Sequence, residues 1–160
     1  MAINIKHHIP NTVTCCNLLS GCAAAVMAFQ SNYEAATLFI ILGAVFDFFD
    51  GMLARLLGVS GPLGKELDSL ADDITFGFAP ATIVFSLFKE VHYPEFLLPV
   101  ADYFPYTAFI IAAFSALRLG KFNIDPRQSS SFIGLPPPAN ALLFMNKVFS
   151  IDLKPSAYCI

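Results

Sequence analysis

Five aspartates carry most of the chemistry this sequence can offer: Asp47, Asp50, Asp68, Asp72 and Asp73. They stand in or beside two apolar stretches, where an ionised Asp at a membrane-helix centre costs roughly 2.5 to 3.5 kcal/mol. Four uncompensated carboxylates would cost on the order of 10 kcal/mol. Arg55 and Lys65 are too few to neutralise them, and both sit toward the intervening loop. A bound divalent cation, or two, is the natural partner, because hard cations take oxygen ligands. On helices, Asp47 and Asp50 are i, i+3 and Asp68 and Asp72 are i, i+4, so each pair projects from one face. Asp73 points about 100° away from Asp72, as a neighbour rather than a ligand. The competing reading is a set of interfacial carboxylates that reach water, and for any single Asp it stands equal.

The residues between them sharpen the first reading. Gly51, Ala54 and Gly64 leave helix surfaces bare beside the carboxylates, and Arg55 supplies a planar donor fork suited to phosphate. In-line phosphoryl transfer needs such a set: cations to neutralise developing charge, and one carboxylate to take a proton.

The elements that must position these residues are membrane spans. The chain has 160 residues, 56% of them hydrophobic, with a mean hydropathy of +0.66 and charge on only 13%. Soluble domains carry charge on about a quarter of their residues. Seventeen Phe exclude disorder, and a net charge of -3 without a basic stripe excludes nucleic acid as a partner. Apolar stretches run from Val13 to Phe29, Ala35 to Leu57, Leu67 to Phe88, Tyr103 to Leu119 and, interrupted by Lys147, Leu135 to Leu153. Each approaches the roughly 17 to 25 residues that cross a bilayer as helix, so the expected fold is an all-α transmembrane bundle of about five spans. With a cytoplasmic N-terminus, Lys6, Arg55, Lys65, Arg118, Lys121 and Arg127 share that side, and Lys89 alone lies opposite before the fifth span. The aspartates then face the cytoplasm, with the cell (inner) membrane as the expected location.

Leu19-Ser20-Gly21-Cys22 has the form of a lipoprotein cleavage box, but Pro10, Asn11, Thr12, Thr14 and Asn17 make a poor apolar region before it. Cys15, Cys16, Cys22 and Cys159 form no disulfide or zinc pattern and read as small helix-packing residues. His7, His8 and His92 lie outside the spans and read as carrying no metal. Tyr93, Tyr103 and Tyr106 read as interfacial aromatics.

The pattern Asp47-x2-Asp50-Gly51-x2-Ala54-Arg55-x8-Gly64-x3-Asp68-x3-Asp72 resembles the signature of the CDP-alcohol phosphotransferase family, membrane enzymes of phospholipid synthesis. Pro10-Asn11-x2-Thr14-x2-Asn17 is similar to that family's N-terminal nucleotide-enclosing segment. Three segments resemble its branch that transfers a phosphatidyl group from CDP-diacylglycerol to L-serine, releasing CMP: Thr75 to Ala81, Arg118 to Asn123, and Phe132 to Ala139. Pro137 and Lys121 depart from that branch, which more often has a less rigid residue and an Arg there.

The resemblance implies that Asp47, Asp50, Asp68 and Asp72 bind two Mg²⁺ or Mn²⁺ ions. It implies that Asn11, Thr14, Asn17, Gly51, Ala54, Arg55 and Gly64 surround the CDP moiety, and that Asp72 is the general base. Arg118, Lys121, Asn123 and Arg127 then stand available to a serine carboxylate or lipid phosphate, against a plain role in positive-inside anchoring. A homodimer is also admitted. Because the family core has six helices, residues 1–160 are expected to be one domain incomplete at its C-terminus. The alternatives are a relative with glycerol 3-phosphate or an inositol compound as acceptor, a non-enzymatic cation-conducting protein, and an inactive fragment or assembly subunit. The cation-conducting reading leaves the Gly, Ala and Arg at fixed offsets unexplained.

Overall fold

In a computed structural model of the chain, residues 5–59, 61–91, 93, 98–124 and 141 are described. They form α1 (Ile5–Phe29), α2 (Tyr33–Leu57), a long helix α3 (Pro62–Glu90), a single turn α4 (Leu98–Ala101), a 3-10 turn (Phe104–Ala108) and α5 (Phe109–Ile124). No strand occurs among the described residues. His8–Phe29, Tyr33–Leu57 and Pro62–Glu90 are each long and apolar enough to cross a membrane. The fourth expected span appears as the 3-10 turn running into α5, and the fifth lies outside the described residues except for Ala141.

Two boundaries differ from expectation. α1 begins at Ile5 and passes through Pro10 without ending. α3 begins at Pro62, not near Leu67, because Gly61 in extended conformation and Pro62 at the first helical position start a helix whose polar first turn hydropathy alone reads as loop. Gly64 is therefore a helical residue.

The helix ends explain the tight connections. Gly58, at φ 63°, closes α2 with Gly58 N–H donating to Arg55 O at 3.2 Å and Val59 N–H to Ala54 O at 3.1 Å, the paired bonds of a Schellman cap. The α1–α2 turn repeats this pattern at Ser31, at φ 57°. A left-handed conformation is costly for a residue with a Cβ. Here the Ser31 hydroxyl donates to Glu90 Oε1 at 2.6 Å, and Tyr33 OH donates to the same atom at 2.7 Å. Asn32 Oδ1 accepts from Ala35 N–H at 3.1 Å and starts α2.

Packing rests on small residues, the usual device where lipid removes any hydrophobic drive between helices. Ala24, Ala25 and Ala28 of α1, Ala36 and Ile40 of α2, and Phe76, Ala79 and Ile83 of α3 are buried. Ala141 joins the same cluster. Cys15 and Cys22 are exposed, so these two do not pack between helices as expected; Thr14, Asn17, Gly21 and the alanines take the inner face of α1.

α3 is interrupted once. Asp73–Phe78 forms a π-helical segment, with Ala79 N–H donating to Ile74 O. Pro80, two residues later, lacks the N–H that an α-helix would use and clashes with a carbonyl one turn back, and the wider turn accommodates it. The segment starts directly after Asp72.

Candidate active site

The N-terminal part of α1, the C-terminal part of α2 and the start of α3 meet at one end of the bundle, around a cavity of about 360 Å³. The cavity lies within the size range of small-molecule sites. α1 contributes His8, Pro10, Asn11 and Thr14 to its wall, α2 contributes Asp50, Gly51 and Ala54, and α3 contributes Pro62 through Lys65 and Asp68. Gly61 and the first turn of α3, Pro62 to Lys65, line this space, so the positive end of that helix dipole lies beside it, an arrangement suited to a diphosphate.

The glycines explain the close approach. A Cβ on Gly64 would stand 3.2 Å from Asn11 Oδ1, so any larger residue there would have to push the Asn11 amide aside by a few tenths of an ångström. A Cβ on Gly51 would stand 3.8 Å from Arg55 Nη2, which places the exposed guanidinium over the bare Gly51 surface.

Asp47, Asp50 and Asp68 each offer a carboxylate oxygen, and the three atoms lie within 4.8 Å of one another. Asp50 is 4% exposed. Asp50 Oδ2 and Asp68 Oδ1 are buried with no hydrogen-bond partner among the described residues. Buried carboxylate oxygens left unpaired and gathered at one point are costly unless a cation is among them. The donor set, all hard oxygen, fits Mg²⁺ or Mn²⁺.

Asp72 is outside this triad but adjacent to it, in contact with Asp47 on one side. On the other side Asn17 Nδ2 donates to Asp72 Oδ1 at 3.3 Å. Asn17 is completely buried and absent from the cavity wall, unlike Asn11 and Thr14 of the same segment. Asp73 turns away, as its spacing predicts, and its Oδ1 lies with Ser115 Oγ against Gly77.

His8 and Lys65 line the cavity and were missed by the sequence reading. Lys65 directly follows the motif's Gly64, and His8 stands one helical turn before Asn11, so extending the motif by a turn along each helix finds both. Arg118 is half-buried and Lys121 exposed on α5, and neither lines the cavity. The Asn123 side chain and Arg127 lie outside the described residues.

The profile of the CDP-alcohol phosphatidyltransferase family matches residues 7–154. The chain belongs to the CDP-alcohol phosphatidyltransferase family. A Bacillus subtilis (strain 168) protein named CDP-diacylglycerol--serine O-phosphatidyltransferase is 37% identical over 132 residues, which cover 82% of this chain and 70% of that protein. A Saccharomyces cerevisiae protein of the same name is 32% identical over 160 residues, 90% of this chain and 54% of the relative. The archaetidylserine synthase of Methanothermobacter thermautotrophicus is 31% identical over 137 residues, 84% of this chain and 54% of the relative. The chain thus spans about half the length of the latter two. No solved structure matches it. Membership of this family of membrane-lipid enzymes agrees with the three span-length helices.

Proposed function

We propose that the chain transfers the phosphatidyl group of CDP-diacylglycerol to L-serine, giving phosphatidylserine and CMP. The observation that carries this reading is the Asp47, Asp50 and Asp68 triad at the edge of a cavity built from helix ends, with Asp72 beside it. The names of its relatives support serine as acceptor.

Asp47, Asp50 and Asp68, joined by Asp72, would hold two Mg²⁺ or Mn²⁺ ions. When bound, these ions supply charge neutralisation to the diphosphate and to the departing CMP. The α3 N-terminus with Gly64, the α2 surface at Gly51 and Ala54, and Asn11 and Thr14 enclose the CDP moiety. Lys65, His8 and Arg55 lie within or beside that enclosure and add positive or hydrogen-bonding groups toward phosphate. Asp72 Oδ takes the proton of the serine hydroxyl as its oxygen forms a bond to the phosphatidyl phosphorus. The bond from that phosphorus to the CMP oxygen breaks, and CMP leaves with the electron pair. One such displacement inverts configuration at phosphorus. Arg118, Lys121 and Asn123, on the side where α5 ends, are assigned to the serine carboxylate or a lipid phosphate. The N-terminus and the site face the cytoplasm, following the Lys and Arg bias.

The test is CMP release by the detergent-purified protein with CDP-diacylglycerol and Mn²⁺ or Mg²⁺, offering L-serine, glycerol 3-phosphate and inositol phosphate in turn. Release that needs serine and metal is the expected result. Release with another acceptor alone overturns serine and keeps the family chemistry.

A further inference from the structure

Asn17 stands apart from the rest of its motif segment. Asn11 and Thr14, two turns and one turn earlier on α1, reach the cavity wall; Asn17 does not, and no part of it is exposed. A buried amide without partners is costly, so its contacts define what it does. Its Nδ2 faces Asp72 Oδ1 at 3.3 Å, and since an ionised carboxylate only accepts, the amide nitrogen must be the end that faces it. That distance is long for such a bond, as hydrogen bonds to catalytic groups often are before substrate binds.

The rest of the residue is closely enclosed, with Oδ1 buried and without a hydrogen-bond partner among the described residues. A Cβ on Gly43 would fall 2.9 Å from Asn17 Oδ1 and 2.5 Å from Thr75 Cγ2, so α2 leaves open the space these two groups occupy. Thr75, fully buried, donates from Oγ1 to the Asn17 backbone carbonyl at 3.1 Å. The same Oγ1 would fall 2.5 Å from a Cβ on Gly21. Main chain and side chain of Asn17 are thereby tied to α3 on both sides of the junction where the π-helical segment begins.

We infer that Asn17 is a positioning residue: its buried amide, carried on a stretch of α1 whose carbonyl accepts from Thr75 in the notch left by Gly21 and Gly43, holds the Asp72 carboxylate in the orientation that accepts the acceptor's proton. This rests on the proposed function. Asn17 then contributes to turnover through Asp72 and not to nucleotide affinity, the reverse of Asn11. Without the donor, the contact with Asp47 alone orients the Asp72 carboxylate, and a misplacement of about 1 Å costs on the order of 10²-fold in rate.

The experiment compares the full chain with Asn17→Asp, which keeps the shape and replaces the donor by an acceptor, and Asn17→Leu, which keeps the volume and removes all polarity. Asn11→Ala is the contrast. CMP release is read as kcat and KM with whichever acceptor the wild type uses, alongside CDP-diacylglycerol affinity and thermal midpoint in detergent. The expected result is a fall in kcat of about 10- to 100-fold in both Asn17 variants, with CDP-diacylglycerol affinity within about threefold of wild type. Asn11→Ala should instead weaken CDP-diacylglycerol binding. Unchanged kcat, or a loss of affinity matching the loss of kcat, overturns the inference. Failure of both Asn17 variants to fold also overturns it, leaving a packing role. A wild-type chain silent with every acceptor defeats the functional reading itself, an outcome distinct from active wild type with indifferent variants.

Discussion

The two ends of the helical bundle treat carboxylates in opposite ways. At one end Glu90 Oε1 accepts hydrogen bonds from Ser31 and Tyr33 at 2.6 and 2.7 Å, and the arrangement clasps the α1–α2 turn to the end of α3. At the other, Asp47, Asp50 and Asp68 converge within 4.8 Å, with buried oxygens of Asp50 and Asp68 unpartnered among the described residues. A carboxylate whose partners come from its own protein serves the fold. A group of carboxylates that crowd together, with buried oxygens that no donor among the described residues reaches, is an arrangement the fold tolerates for something it binds. Both ends are built on the same small-residue packing, so the difference lies in the donors and not in the scaffold.

The contrast breaks most sharply at Asp72. Asp72→Asn should lower CMP release by at least about 10³-fold, within the range for loss of a general base, while CDP-diacylglycerol still binds. Turnover like wild type would remove Asp72 from the role of base and leave the site without a group to take the proton. Metal removal acts on the triad next. Chelation should abolish CMP release and lower the thermal midpoint, since three gathered carboxylates then repel one another without compensation. Asp68→Asn should abolish release as well, yet raise the midpoint of the chelated protein by relieving that repulsion. A midpoint indifferent to both treatments would mean that the triad holds no cation.

How much of this was visible beforehand follows from the kind of information each feature needs. The aspartate spacing was legible because i, i+3 and i, i+4 offsets place groups on one helix face whatever else the chain does. The three long spans were legible from hydropathy. The start of α3 was misplaced because Lys65 and Glu66 make its first turn polar; Pro62 after Gly61 was the available signal. The π-helical segment was not legible, because it answers to Pro80 and to packing against other helices together. The division of labour within Pro10 to Asn17 needed the structure too. The pattern marks Asn11, Thr14 and Asn17 alike, and only the crossing of α1 with α3 sends the first two to the cavity and the third to Asp72.

The scaffold shared by both ends offers a smaller perturbation. Gly43→Ala would place a Cβ 2.5 Å from Thr75 Cγ2 and 2.9 Å from Asn17 Oδ1, the ends of two short side chains that are both fully buried. Overpacking of this kind costs about 1 to 3 kcal/mol, to be read from denaturation in detergent. Turnover should fall more than stability does, since the displaced groups are those that hold Asp72. Equal loss of both would make Gly43 a packing residue only. Gly58→Ala, whose φ of 63° is the strained feature and whose Cβ meets nothing within 4 Å, should destabilise by about 1 kcal/mol and leave the Asp72 geometry alone.

The smallest effect belongs to the satisfied end. Glu90→Gln keeps the acceptor oxygen and the shape but exchanges charge-assisted hydrogen bonds for neutral ones. Bonds to a charged group contribute roughly 1.5 to 3 kcal/mol and neutral ones about 1 kcal/mol, but Glu90 is exposed and solvent screening should hold the loss over its two bonds below about 1 kcal/mol. CMP release should not change, because Glu90 closes the end of α3 opposite to Gly64 and Asp68. Ser31→Gly tests the same clasp from the other side: it removes one donor to Glu90 and also relieves the left-handed backbone at φ 57°. The two effects oppose each other, and the net change should be smaller than that of Glu90→Gln. If Glu90→Gln instead slowed turnover as strongly as an aspartate substitution, the two ends would be coupled along α3, and the separation between a carboxylate that serves the fold and carboxylates that serve a ligand would fail.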